Sequence, residues 1–206
     1  MKKIISIIAL LVAMIGTASA SNTLSAASVE GRLSVSMVND VTVTAYDFHL
    51  YLPEGAAIGQ KWNEDDEEYV NDVMMSRTKS DHALTLMKDS KDGSFLFGVA
   101  SPTSKTLKGS DGEILSIALD LSKVSDGTYN CSMKKIWFAE SGTSGVAVDD
   151  VNFDIEVKDG ALVSVITGIE SVNADGMKAD GKYLINGELI IKKGNSIFNG
   201  IGAKKK

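Results

Sequence analysis

One cysteine, two prolines and two histidines stand in a chain of 206 residues, and each scarcity excludes something. With Cys131 alone, no intramolecular disulfide can form, so stability must come from the core, which a chain of this length can supply. Tyr129, Cys131 and Met133 alternate with polar neighbours. That pattern points Cys131 inward as a small apolar side chain rather than outward as a nucleophile, which would want a histidine beside it. Only His49 and His82 exist, and the two together make a weak case for metal ligation without cysteine or further histidine. His49 falls on the face opposite Phe48 and Leu50 and reads as exposed; a structural role, such as bonding a turn backbone, is expected for His82. Clustered positive charge is missing too. The net charge is −6, and the one basic run is Lys204-Lys205-Lys206, read as a solvated end. Nucleic acid is therefore excluded as a partner, because phosphate binding needs concentrated Lys and Arg. No Gly-rich phosphate loop, nucleophile elbow or zinc-protease motif is present. Amphipathic helices of three or more turns are absent as well.

What is there begins with a targeting segment. Lys2 and Lys3 precede the apolar stretch Ile4 to Ile15, and Ala18-Ser19-Ala20 is a small-residue cleavage site. This is the pattern of a signal peptide over residues 1–20. No later apolar run is long enough for a membrane helix, so an integral membrane protein is not expected. The expected location is outside the cytoplasm: periplasmic, extracellular or on the cell surface. Loss of Lys2 and Lys3 takes the charge from −6 to −8.

From there on, period-two alternation dominates. Leu33, Val35 and Met37 alternate with polar residues, and Asn39-Asp40 reads as a turn. Odd positions are apolar in Val41 to Ala45, but even positions carry the large apolar groups in Tyr46 to Leu52. One extra residue reverses which face points inward, so a β-bulge is expected near Ala45. Residues 54–69 read as an acidic loop, with Glu64 to Glu68 at its centre. Strands resume at about 70–77 and 82–88. Lys91-Asp92-Gly93 turns a hairpin into Ser94 to Ala100, Asp111-Gly112 leads into a buried strand of mixed period from Glu113 to Leu121, and Asp126-Gly127 leads into Thr128 to Phe138. Gly142 to Gly145 reads as a flexible loop, and Val146 to Val157 as a strand pair or one bent strand. Strands at this spacing, punctuated by Asp-Gly turns, indicate an all-β sandwich or barrel. Near the end, Asn186-Gly187 between Lys182–Ile185 and Glu188–Ile191 is a strong hairpin signal. The expected organisation is a linker at 21–28, a β-sandwich at 29–158, a strand and linker at 159–180, and a small C-terminal β-meander at 181–206.

The run Thr44-Ala45-Tyr46-Asp47-Phe48-His49-Leu50-Tyr51-Leu52-Pro53-Glu54-Gly55 resembles the early strand of cohesin-like domains of secreted Bacteroidetes proteins. Arg77 with Asp81-His82, then Gly112 to Leu115, then Asp126-Gly127-Thr128-Tyr129 leading to Ile136 follow in the order such domains show. The resemblance implies a nine-stranded jelly-roll or immunoglobulin-like sandwich, related to several carbohydrate-binding modules. Cohesins bind dockerin modules through one flat sheet face, which has no fixed motif, so the resemblance assigns no dockerin-binding residue here. The tail resembles short C-terminal β modules of exported proteins of the same bacteria, some of which serve as sorting signals.

Trp62 and Tyr69 flank the acidic run. Aromatic faces beside carboxylates can stack on a sugar ring, so these two are the candidate ligand-binding residues; the alternative tucks one or both into the sandwich edge. Glu64, Asp65 and Asp66 are candidate oxygen ligands for calcium, although their spacing is not that of an EF-hand; the alternative is a solvated loop with no cofactor. Trp137 lies between Ile136 and Phe138, so one of the three should face outward. The expected function is a non-catalytic module recognising a protein or a glycan, with no catalytic residues. A hydrolase using facing carboxylates and a structural subunit associating through its C-terminal strands are the rivals.

Overall fold

The computed structural model describes residues 22–140 and 144–167, together with the strands Ile169–Ser171, Gly181–Ile185, Glu188–Lys193, Ser196–Asn199 and Lys204–Lys205. The expected signal segment at 1–20 and the first two residues of the expected Gly142–Gly145 loop lie outside the described residues.

Along the chain, β1 (Thr23–Val29), β2 (Arg32–Val38) and β3 (Val43–Tyr51) are followed by the short strands β4 (Ala57–Ile58), β5 (Gln60–Asn63), β6 (Glu68–Asn71) and β7 (Val73–Met75). Next come β8 (Ala83–Lys88), β9 (Phe95–Ala100), β10 (Asp111–Ile117), β11 (Leu119–Asp120) and the long β12 (Gly127–Glu140). The sandwich strands end with β13 (Gly145–Val148), β14 (Val151–Lys158) and β15 (Ala161–Thr167). The larger sheet has the order β15-β14-β12-β3-β9-β8, and the smaller β1-β2-β10-β7. β14 pairs with the first half of β12 and β13 with the second, so residues 145–158 form two strands rather than one bent one. The chain crosses between sheets from β2 to β3, β3 to β7, β7 to β8, β9 to β10 and β10 to β12, which is jelly-roll wiring.

Alternation explains the core. Leu33, Val35 and Met37 of β2 face Tyr46, Phe48 and Leu50 of β3, Phe97 and Val99 of β9, and Phe153, Ile155 and Val157 of β14 in one buried cluster. Phe48 and Phe97 stack with ring centroids 5.3 Å apart. Each such side chain contributes about 1.5–3 kcal/mol when fully buried. Cys131 is buried among them, and burial pushes its thiol pKa up to about 12. The inward, unreactive placement read from its neighbours holds.

Four interruptions of alternation are β-bulges. Ala139 pairs with Ala45 and Glu140 with Val43, which leaves Thr44 as the extra residue. The Thr44 hydroxyl donates to the carbonyls of Ala139 and Glu140, both at 3.3 Å. This is the bulge expected near Ala45. A second, at Ile114, lies between the pairs Glu113–Ser36 and Leu115–Val35, and lets adjacent Ile114 and Leu115 both be buried. It accounts for the mixed period of that strand. The third lies in β12, where Lys134 pairs with His49 but Trp137 pairs with Asp47, and Lys135 takes a φ of +54°. Beyond it Ile136 and Phe138 point inward and Trp137 outward. The fourth is at Val163 of β15, between the pairs Glu156–Ser164 and Val157–Leu162.

Two expectations need correction. Residues 21–28 are not a linker: Thr23–Val29 pairs with β2 along its whole length, from Thr23–Val38 to Val29–Arg32. Its small serines and alanines gave little hydrophobic contrast, although Leu24 and Ala26 are buried. Residues 54–69 are not a loop throughout: β5 and β6 form a hairpin there, because Trp62 and Tyr69 stabilise a cross-strand pair that the charges at its tip do not oppose. The strand expected over Ala161 to Ile166 is β15, and it pairs with β14 in the larger sheet.

Arg77 ties one end of the sandwich together. At a φ of +57°, its guanidinium donates to the carbonyls of Met37 (3.1 Å), Lys108 (2.7 Å) and Gly109 (2.7 Å), and to Asn39 Oδ1 (2.6 Å). Nearby, the Lys79 N–H donates to His82 Nδ1 at 3.0 Å, the turn-bonding role expected of this buried histidine. Asp81 accepts from Ser101 (2.7 Å) and Thr103 and holds the loop after β9.

In the C-terminal segment, β16 (Ile169–Ser171), β17 (Gly181–Ile185), β18 (Glu188–Lys193), β19 (Ser196–Asn199) and β20 (Lys204–Lys205) form a five-stranded sheet in sequence order. Ile185 pairs with Glu188, the two-residue connection expected at Asn186-Gly187, while β16 runs parallel to β17. The expected three-strand meander is thus extended by one strand at each side.

Candidate functional site

The sequence-derived candidates lie on the β5–β6 hairpin. Trp62 and Tyr69 are directly paired across it, edge to face with centroids 5.2 Å apart, and both are exposed. Neither tucks into the sandwich edge. Glu64, Asp65 and Asp66 form the tip, where Asn63 donates to Asp66 at 2.6 Å and accepts from the Asp65 N–H at 3.1 Å. Among the described residues, these three carboxylates do not converge into a group suited to a metal ion.

The two sheets differ in what they show to solvent. On the smaller one, Arg32 pairs with Asp72 at 2.8 Å and with Ser116, and Glu113 accepts from Ser34 at 2.5 Å and Ser76 at 3.3 Å. Its polar groups satisfy one another. The larger sheet presents a different surface, laid out by register. Alternate residues of its strands face outward, and the pairing aligns Ala83, Ala100, Ala45, Ala139 and Gly145 in one row across β8, β9, β3, β12 and β13. The next row is Thr85, Gly98, Asp47, Trp137 and Ala147. Met87, Leu96, His49 and Lys134 lie beyond it.

Five adjacent strands of small side chains make a trough roughly 20 Å across, at about 4.8 Å per strand. A cavity of about 170 Å³ opens in it between Trp137 and Thr85, with Gly98 in its floor and Ala45, Asp47 and Ala139 along it. Trp137 remains 43% exposed and Met87 54% exposed, although both sit on a sheet face rather than a loop. Burial against these neighbours raises the pKa of Asp47. This carboxylate is poised to gain from a donor supplied from outside.

Sequence reasoning singled out Trp137 as one of three residues, of which one must face outward. It missed the alanine row and Gly98, because each member comes from a different strand and no local pattern links them.

No family model matches the sequence, and no curated protein matches it. Among solved structures, the cohesin module of a family 33 glycoside hydrolase from Clostridium perfringens is similar at 11% identity, over 67% of this chain and 96% of that one, with a TM-score of 0.46. A non-cellulosomal cohesin from the archaeon Archaeoglobus fulgidus is similar at 12% identity, over 67% and 93% of the two chains, with a TM-score of 0.46. A cohesin from a Clostridium thermocellum cohesin–dockerin complex is similar at 12% identity, over 66% and 86%, with a TM-score of 0.40. At this level the likeness is one of outline.

Proposed function

We propose that this chain is an exported, non-catalytic module that binds a protein partner on the outer face of its larger sheet. The observation that supports this best is the pairing of an exposed tryptophan with a side-chain-poor trough on a rigid sheet. Small residues let a partner's backbone approach closely, and Trp137 supplies the large aromatic anchor on which interfaces concentrate their energy. The trough offers few hydrogen-bonding groups to sugar hydroxyls, so its surface suits apolar protein side chains better than a glycan. Asp47 would take a donor from the partner at the centre of the contact. Only one carboxylate lines this cavity, whereas hydrolysis of a glycoside needs a facing pair. The signal-like pattern of residues 1–20 supports export, and no helix among the described residues is long and apolar enough to cross a membrane.

A second reading rests on the exposed Trp62–Tyr69 pair, whose ring faces could stack on a sugar. One experiment separates the two. Binders are selected from a displayed protein-fragment library and from a glycan array, then measured against Trp137→Ala and Trp62→Ala. The face reading expects a protein fragment whose affinity falls at least tenfold in Trp137→Ala and is unchanged in Trp62→Ala. The reverse pattern, with a glycan as binder, would overturn it in favour of the hairpin.

A further inference from the structure

Two rows from the alanine trough, three metal-binding side chains meet at one end of the larger sheet. His49 projects from β3. Asp89 and Asp92 belong to the turn between β8 and β9, which is closed by the Asp89 N–H on the Ser94 carbonyl (2.8 Å) and the Gly93 N–H on the Asp89 carbonyl (2.9 Å). One ligand atom from each of the three lies within 4.8 Å of the others. We propose that His49, Asp89 and Asp92 form a site for a divalent transition-metal ion of the zinc class.

The hydrogen bonds around the cluster favour this chemistry. The Ser94 hydroxyl donates to Asp92 Oδ1 at 2.6 Å, and the Ser94 N–H donates to the same oxygen at 3.0 Å. With its proton committed there, the Ser94 Oγ accepts at the His49 Nδ1, 3.0 Å away. That network favours the tautomer protonated on Nδ1, which leaves Nε2 with its lone pair. A histidine held by its other ring N–H is the usual outer-shell arrangement around a metal. Tyr51 donates to Asp92 Oδ2 at 2.8 Å, and the Lys91 N–H donates to Asp89 Oδ1 at 2.8 Å. Both carboxylates are thus oriented, and Asp89 retains its second oxygen. Ser94, the hub of the chain, is 1% exposed, so this outer shell is rigid.

The donor set decides the ion. Imidazole nitrogen with two carboxylates suits zinc and its neighbours in the transition series, whereas calcium and magnesium prefer all-oxygen cages. Zinc–ligand bonds of about 2.0–2.2 Å would draw the donors roughly 1 Å closer, within reach of side-chain rotation at a surface turn. Lys135 Nζ, 3.9 Å from Asp92 Oδ2 and 60% exposed, competes for that carboxylate and would swing aside when the ion enters. This site does not depend on the trough being an interface.

The test is titration of the full chain, freed of metal by chelation, with ZnCl2 and separately with CaCl2. Calorimetry gives the affinity, and histidine ring resonances give the location. The expected result is one zinc per chain, a shift of the His49 ring signals, and a Kd raised at least tenfold in His49→Ala and in Asp89→Asn. Lys135→Gln should tighten binding, a change in the opposite direction that lost folding cannot imitate. His82 is the internal control, because its side chain is sealed from solvent and its signals should not move. No zinc binding at millimolar metal, equal binding by His49→Ala, or stronger binding of calcium than of zinc would overturn the proposal.

Discussion

The indole of Trp137 occupies the space that a side chain at Gly145 would need: a Cβ built on Gly145 falls inside the van der Waals envelope of the ring. The exposed aromatic of the large sheet is therefore set by a glycine on the neighbouring strand. Gly145→Ala should push the ring off β13 while leaving the core intact. In a Trp62→Phe background, which leaves Trp137 as the only tryptophan, the emission maximum and quenching by acrylamide should both change. Stability should fall by about 1 kcal/mol or less, as for a surface strain that the side chain can relieve. An unchanged spectrum would show that the ring does not need that space.

Gly98 is the opposite case. A Cβ there would meet only Thr85 at 3.9 Å and Asp47 at 4.0 Å, which is ordinary contact. Gly98→Val should fold normally, with stability unchanged or raised by about 0.5–1 kcal/mol because β-branched residues favour strands. The same substitution fills the floor of the cavity beside Trp137. A partner bound through that face should lose at least tenfold in affinity while urea denaturation shows no loss of stability.

Arg77 satisfies three carbonyls and one amide oxygen with a single side chain. Arg77→Ala should cost about 2–4 kcal/mol, because hydrogen bonds to a charged group are worth more than neutral ones and several acceptors are left bare. Arg77→Lys should recover little, since an ammonium cannot reproduce the planar fork. Urea midpoints of the two variants against the parent chain check both statements.

Asp81 should make the protein sensitive to acid. Hydrogen bonds from Thr103 first, and then from Ser101 with the charge of Lys105, hold its pKa at about 2 against an ordinary 3.8. A carboxyl whose folded pKa lies below its unfolded one stabilises the fold above the unfolded value and loses that contribution as pH falls through the folded one. The midpoint of thermal unfolding should drop between about pH 4 and pH 2, and Asp81→Asn should flatten part of the drop. Asp72 and Asp92 are shifted in the same direction, by Arg32 and by Ser94 respectively, so some slope should remain.

Much of the fold was legible because the buried side chains alternate. Leu33, Val35 and Met37, then Tyr46, Phe48 and Leu50, announce both strand and facing, and the change of parity between Val43 and Tyr46 announces a bulge. The two elements that were missed failed for opposite reasons. Thr23–Val29 has too little hydrophobic contrast to register as a strand. The β5–β6 hairpin is hidden by the charges of Glu64 to Glu68, although its two aromatics face each other across the strands. The trough was not legible at all. Ala83, Ala100, Ala45, Ala139 and Gly145 lie in five separate segments, and each is an unremarked small residue until pairing lines them up. The cluster of His49 with Asp89 and Asp92 was missed for the same reason, since some 40 positions of chain separate the histidine from the acids.

The bulge at Lys135 couples the inside of the molecule to its outside. One additional residue there decides that Phe138 goes in and Trp137 goes out: uninterrupted alternation from Met133 at the present length would put the phenylalanine on the surface and the indole in a space shaped for a smaller ring, whereas removing the extra residue closes the bulge and leaves Trp137 opposite Asp47. Homologous chains that keep this surface should therefore either retain the bulge or lose it together with one residue of 134–136, whereas an insertion of one further residue there would have to be absorbed by a wider bulge.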